Sequence, residues 1–261
     1  MVIDAPRALA GTPRDDVPVP AGVLRVAAGR PLRPVWHNVL GGLTYEIPGH
    51  CYVKWAPAAV DLGPEADRLA WAAPFTRVPR LLDHGADDDG SWLVTAPLPG
   101  TSAVADRWRA EPERAVEAVG EGLRALHEAL PVDRCPFSWD VATRRAGAHD
   151  PDPELWHDEH GGLTVTEALR VLDDPPEPDR LVVCHGDACA PNTLVGDDGR
   201  WAGHVDLGDL GVADRWADLA VATWSTVWNH GRGHERPLLD AYGVAPDPER
   251  TFFYRLLWDL T

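Results

Sequence analysis

The chain almost lacks lysine. Lys54, in "CYVKWAP", is the only one, and the other 23 of the 24 basic residues are arginine. Cysteine is also sparse. Cys51, Cys135, Cys184 and Cys189 follow no paired spacing, which fits reduced thiols in a cytoplasmic enzyme better than a disulfide framework. No apolar run approaches the ~18 residues that a membrane-spanning helix needs. The opening "MVIDAPRALAGTPRDDVPVP" has no basic region followed by an apolar run, so no secretory signal is expected. Positive charge is short overall: the formal net charge is -17. A balance that acidic argues against nucleic acid, whose binding needs a cationic surface, and against anionic membrane surfaces. The same field would steer a polycationic small molecule toward an acidic cleft, although an acidic surface also serves solubility.

With 261 residues at 44% hydrophobic, the chain can bury a sizeable core, as one large domain or as two lobes. Residues 1–20 are Pro-rich and aperiodic and read as a loose arm. From "GVLRVAAG" to "YVKWAP" the pattern is short and β-like, broken by "LGG" and "PGH" turns. "GPEADRLAWAA" predicts a helix with Pro64 near its start, and "RVPRLLDHG" and "SWLVTAPLPG" predict two strands around a polar turn. Past Gly100, "EPERAVEAVGEGLRALHEAL" places Ala115, Val119, Gly122, Leu123 and Leu126 on one helical face. "RLVVCHGD", "NTLVGDDGRWAGHVDLGD" and "ADRWADLAVATWSTVW" follow as strand, hairpin and helix. The expected division is a β-rich lobe over 21–96 and a larger, mainly helical lobe over 97–261, an α+β chain.

"CHGDACAPNTLV" supplies Asp187 and, five residues later, Asn192; "HVDLGD" then supplies Asp206. A carboxylate held in a loop can orient a hydroxyl and accept its proton. A second carboxylate and an amide oxygen are hard donors that suit Mg²⁺. Lys54 on a strand and Glu65 on a helix add a cation for phosphates and a carboxylate to aim it. That is a parts list for phosphoryl transfer, in which the protein mostly positions groups and neutralises charge. Taken singly, each feature has a plainer explanation: an Asp and an Asn five apart are frequent in turns, and a Lys–Glu pair can be a surface ion pair. Cys184, His185, Cys189 and His204 lack a C-x-x-C pair and regular spacing, and Cys184 ends the apolar run "LVVC", so it reads as a buried hydrophobe rather than a zinc ligand.

"HGDACAPN", "HVDLGDLGVADRWADLA", "EADRLAW", "VPRLLDHG", "LVTAPLPG", "LRALHEALPVDRCPF" and "FFYRLL" together resemble the aminoglycoside 3'-phosphotransferases, within the kinase-like antibiotic and choline kinases. The likeness runs from about residue 36 to Thr261. It implies a bilobal kinase-like fold with ATP or GTP as phosphate donor. By position, Asp187 is the implied catalytic base, and Asn192 and Asp206 are the implied Mg²⁺ ligands. Lys54 would contact the α- and β-phosphates with Glu65 holding it, and the Ala96 carbonyl and Leu98 amide would bind adenine. Asp218 and His185 would brace the catalytic loop. In "HNVLGGLTYEI", Gly41 and Gly42 would let backbone amides approach phosphate.

Eleven residues separate Asp206 from Asp218, too few for the segment with which a protein kinase binds a peptide. The acceptor is therefore expected to be a small molecule, a cationic antibiotic or related natural product. "LWHDEHGG" offers Asp158 and Glu159, with Glu154 before them. "LLWDLT" keeps one acid, Asp259, where the family commonly has two, with Trp258 in the other position and Thr261 for the usual aromatic. Asp209 stands where the family typically has arginine, and uncharged Trp224 and Ser225 stand where charged residues are expected. Trp224 and Trp228, four apart on a helix, are explained equally by core packing or by a ligand wall. These departures leave three readings open. One is an aminoglycoside-type antibiotic O-phosphotransferase conferring resistance. Another is a kinase for a different basic natural product, such as a viomycin- or capreomycin-type peptide. The last is a nucleotide-binding module without turnover. A monomer or weak homodimer is expected.

Overall fold

The computed structural model of the chain describes residues Gly11, Pro13, 17–38, 41–147 and 151–261. Most of the expected N-terminal arm, and Val39 and Leu40 of the glycine loop, lie outside the described residues. The chain divides into two compact units, 1–98 and 99–261.

The first unit runs α1 (Ala21–Ala27), β1 (Arg33–His37), β2 (Leu43–Ile47), β3 (Cys51–Pro57), α2 (Gly63–Ala72), β4 (Leu81–Ala86) and β5 (Gly90–Thr95). The strands form one sheet in the order β1-β2-β3-β5-β4, and every pair is antiparallel. Alternation decides its faces. Leu43, Tyr45, Ile47, Val53 and Val94 turn to one side and bury there with Val23 and Ala27 of α1. Lys54 follows Val53, so it points to the opposite side.

Helix α1 corrects the β-like reading of "GVLRVAAG". Val23 and Ala27 are four apart and buried, while Leu24 is exposed. The i, i+4 stripe that meets the sheet prevails over the β preference of two valines, a competition that so short an apolar run leaves undecided by itself. The helix stops at Ala28, whose left-handed backbone (φ 50°) returns its N–H to the Leu24 carbonyl.

The second unit contains β6 (Thr101–Ser102), α3 (Asp106–Ala110), α4 (Pro112–Ala129), α5 (Val141–Gly147), α6 (Val165–Asp173), β7 (Leu181–Cys184), β8 (Thr193–Val195), β9 (Trp201–His204), β10 (Gly211–Asp214), α7 (Trp216–His230), α8 (Glu235–Tyr242) and α9 (Pro248–Leu260). Its core gathers Ala115, Val119 and Leu123 of α4 with Leu219 and Ala220 of α7 and Leu256 and Leu257 of α9. Each such side chain contributes about 1.5–3 kcal/mol when fully buried if it is leucine-sized. α7 carries buried residues on all its faces through its first three turns, which marks it as the central helix. Strand β10, not foreseen from the sequence, pairs antiparallel with β7 and fastens the segment after Asp206 beside the one before Asp187.

Gly120 lets α4 and α8 approach closely: a Cβ there would lie 2.4 Å from the Leu238 carbonyl oxygen and 2.9 Å from the Ala241 Cβ. Gly120→Ala is therefore expected to destabilise the protein by about 1–3 kcal/mol despite alanine's better helix propensity. A fall in the urea midpoint at unchanged slope checks this; an unchanged midpoint contradicts it.

Candidate active site

In the first unit the lysine raised by composition has a defined partner. Lys54 on β3 places Nζ 2.7 Å from Glu65 Oε2 in the first turn of α2. The Glu65 side chain is 6% exposed and that of Lys54 20%, so this is no surface ion pair. β3 lies between β2 and β5, with Lys54 opposite Thr44 and Leu93, which fixes where the lysine stem starts. Ala96 and Leu98 follow the end of β5, and the Ala96 N–H donates to the Arg80 carbonyl at 2.9 Å.

In the second unit the loop from Cys184 to Asn192 is held at many points. Asp218 on α7 is fully buried; its Oδ2 accepts the His185 N–H (2.6 Å) and its Oδ1 the Gly186 N–H (3.0 Å). Oδ2 also meets His127 Nε2 at 2.9 Å, and the other ring nitrogen of His127 meets the Tyr242 hydroxyl at 2.9 Å. Gly186 has φ +89°, and a Cβ there would lie 2.2 Å from the Asp209 carbonyl oxygen, so only glycine fits. Farther along, the Ala190 N–H donates to the buried Ser225 hydroxyl at 2.9 Å.

Asp187 and Asn192 form one group. Asn192 Nδ2 donates to Asp187 Oδ2 (2.9 Å) and to the Asp187 carbonyl (3.0 Å). Asp187 Oδ1 is buried without a hydrogen-bond partner among the described residues. Burial raises the Asp187 carboxyl, and the charge of Asp206 raises it further; the Cys189 thiol, His185 and the Asn192 amide oppose that rise. Asp206 is positioned through its neighbour. The Val205 N–H donates to the Asn192 carbonyl (3.0 Å), and His185 Nε2 contacts the Val205 carbonyl oxygen (3.0 Å). Asp206 itself has φ +64°, an uncommon conformation for a residue with a Cβ and one that persists only where its surroundings impose it.

The remaining predicted residues lie around α9 and the 152–163 loop. Asp158 is exposed, and Glu159 is ion-paired with Arg255 at 2.8 Å. Asp259 is buried against His157 and His160. Trp224 is buried with the His157 ring 4.0 Å away and Trp228 at 5.2 Å, while Trp258 is half-buried. His127 and Tyr242 were not singled out from the sequence, and Ser225 only for its lack of charge, not for the hydrogen bond it accepts from the Ala190 N–H. The available signal was "LHEAL": His127 continues the buried face of Leu123 and Leu126, where a polar side chain needs a partner. Among the described residues His127, Cys184 and Asp218 bring ligand atoms within 4.8 Å of one another. Those atoms already serve each other and the Asp214 carbonyl, to which the Cys184 thiol donates.

The pattern of the phosphotransferase enzyme family matches residues 52–254. The chain belongs to that family. An aminoglycoside 3'-phosphotransferase of Streptomyces fradiae is 38% identical over 253 residues, 85% of this chain and 93% of that protein. A streptomycin 3''-kinase of Streptomyces griseus is 38% identical over 232 residues, 80% of this chain and 84% of its own length. Among solved structures, an aminoglycoside phosphotransferase of Streptomyces rimosus in complex with ADP and streptomycin matches with a TM-score of 0.71 at 29% identity, over 92% of this chain and 97% of that one. The family named from the seven sequence blocks is thus the right one, and the kinase-like α+β fold of its phosphotransferases is the fold of this chain. No helix among the described residues is long and apolar enough to cross a membrane.

Proposed function

We propose that this phosphotransferase moves the γ-phosphoryl group of ATP to a hydroxyl of an aminoglycoside-type antibiotic and so inactivates the drug. The observation that carries the reading is the Asp187 carboxylate. One oxygen is tied to Asn192, the other has no hydrogen-bond partner among the described residues, and the charge of Asp206 acts on both. A carboxylate anchored on one side and uncommitted on the other can align an acceptor hydroxyl and take its proton. The relatives named for 3'-phosphotransfer and for streptomycin, and the one solved with ADP, support the donor and acceptor classes.

Asn192 and Asp206 would hold Mg²⁺. The donor set fits: Nδ2 of Asn192 faces Asp187 and leaves its amide oxygen, and Asp206 adds a carboxylate, both hard donors. When bound, the ion neutralises charge on the phosphates. Lys54, aimed by Glu65, would contact the α- and β-phosphates, and the Ala96 carbonyl and Leu98 amide would bind adenine. In this division of labour residues 21–96 serve the nucleotide and 97–261 carry the catalytic and acceptor groups. Asp218 would hold the loop rigid through His185 and Gly186.

Turnover tests the function: ADP release dependent on an added aminoglycoside, with a phosphorylated product, is expected. Nucleotide binding without turnover on any hydroxylated antibiotic would leave a nucleotide-binding module instead. Lys54→Arg tests the lysine. A planar guanidinium prefers a forked geometry and is bulkier than an ammonium seated against one carboxylate oxygen. The substitution is expected to lower kcat/KM for ATP by about tenfold or more, roughly 1.4 kcal/mol. Wild-type kinetics would return Lys54 to chance.

A further inference from the structure

The hydroxyls buried along α7 are used in two ways. Thr223 donates to the Leu219 and Ala220 carbonyls at 2.9 Å each, and Thr226 donates to the Thr223 carbonyl at 2.8 Å, so both serve their own helix. Ser225, equally buried, turns to another segment: its Oγ accepts the Ala190 N–H at 2.9 Å. Asn229, one turn later, donates from Nδ2 to the Ser225 carbonyl (2.9 Å) and to its Oγ (3.2 Å), which fixes the direction of the hydroxyl.

The Ala190 N–H needs an acceptor from outside. Ala190 is buried and is the first residue of the 3-10 turn Ala190–Asn192, where a backbone N–H has no partner within the turn. The other side of that turn is pinned as well, because the Pro191 carbonyl accepts from the Ser102 hydroxyl at 2.9 Å. What happens at Ala190 reaches Asp187 by a short route. The Asn192 N–H donates to the Cys189 carbonyl at 2.9 Å, and Asn192 Nδ2 donates to Asp187 Oδ2 at 2.9 Å. Asp218 and Ser225 are seven residues apart on α7, so they share a face and stand about 10.5 Å apart along its axis. The helix thus grips the loop on both sides of Asp187, at Gly186 through Asp218 and at Ala190 through Ser225. The Cys189 thiol lies in the same group: burial and the charge of Asp187 push it up, and the Ser225 hydroxyl opposes that rise.

Resting on the phosphotransferase reading above, we infer that Ser225 is a positioning residue of the reaction: its hydroxyl, aimed by Asn229, fixes the backbone at Ala190 and so the placement of the Asp187 carboxylate beside Asn192. Its part differs from that of Thr226, whose hydroxyl caps a carbonyl of its own helix and reaches no part of the loop.

The test uses the full chain, coupled ADP release with an aminoglycoside, calorimetric ATP binding and amide hydrogen exchange. Ser225→Ala is expected to lower kcat by about tenfold to a hundredfold, the scale of a small misplacement of a reacting group, with the Kd for ATP within about twofold. Exchange at the Ala190 amide should quicken by about tenfold or more, while the Gly186 amide, held by Asp218, stays within about threefold. Thr226→Val, which also removes a buried hydroxyl from α7, should leave kcat within about twofold. Asn229→Ala keeps the Ser225 hydroxyl but frees it, and should lower kcat by about threefold; it carries the test if Ser225→Ala does not fold. Unchanged kcat in folded Ser225→Ala, or in Asn229→Ala where the serine variant is unfolded, overturns the inference and leaves phosphotransfer intact. An equal loss in Thr226→Val overturns it too, since any buried hydroxyl of α7 would then matter alike. Absence of turnover in the wild-type protein overturns both readings.

Discussion

Asp187→Ala is expected to lower kcat by about a thousandfold while the Kd for ATP stays within about threefold. One oxygen of the carboxylate is tied to Asn192, and among the described residues the other has no hydrogen-bond partner and can accept a hydroxyl proton. Asp187→Asn sharpens the result. It preserves size, and its side-chain oxygen can still accept from Asn192, yet the amide cannot take up a proton. Its kcat should fall nearly as far as that of the alanine variant. Stopped turnover with intact nucleotide binding, measured by fluorescence or calorimetry, is the expected pattern. Loss of ATP binding in both variants would move Asp187 from base to nucleotide ligand.

Asp218→Ala is expected to cost about 3–5 kcal/mol of stability, because it leaves buried donors without their acceptor. His185 N–H, Gly186 N–H and His127 all converge on this carboxylate. For a chain of this size the loss corresponds to a fall of roughly 10 °C in Tm. Turnover should collapse as well, since the two amides hold the loop that presents Asp187. The pH dependence has a definite sign. Burial pushes the Asp218 carboxyl up, but hydrogen bonds from His127 and the His185 N–H outweigh it and hold the group below the usual carboxylate range. A carboxyl depressed in the folded state stabilises fully above its unfolded value, about 4, and loses that contribution as pH falls through the folded value. Wild-type Tm is therefore expected to drop below about pH 4, and the alanine variant to show a shallower acid limb. An identical limb in both proteins would place the acid sensitivity elsewhere, for example at Asp259, which two histidines hold down in the same way.

Much of the architecture could be read from local pattern. The face of α4 from Ala115 to Leu126, helix α2, the strands flanking "ADDDG" and the β8–β9 hairpin all formed where periodicity and turn residues indicated. These signals are short-range, so the chain carries them undiluted. α1 escaped because seven residues are too few for a period of four to outweigh two valines. β10 escaped because four residues gain strand character only by pairing with β7.

The chemistry divides along the same line. From its order of residues alone the chain determined its family, its α+β class, and the candidate set Lys54, Glu65, Asp187, Asn192 and Asp206, because that chemistry needs particular side chains in a fixed sequence. Tertiary structure alone decided which of its many carboxylates remain available. Asp259 meets His157 across 102 residues and Glu159 meets Arg255 across 96, contacts that no local spacing encodes. Counting acids gives a charge; only the fold shows which acids already have partners, and an acid with a partner attracts a ligand's ammonium far less than one without.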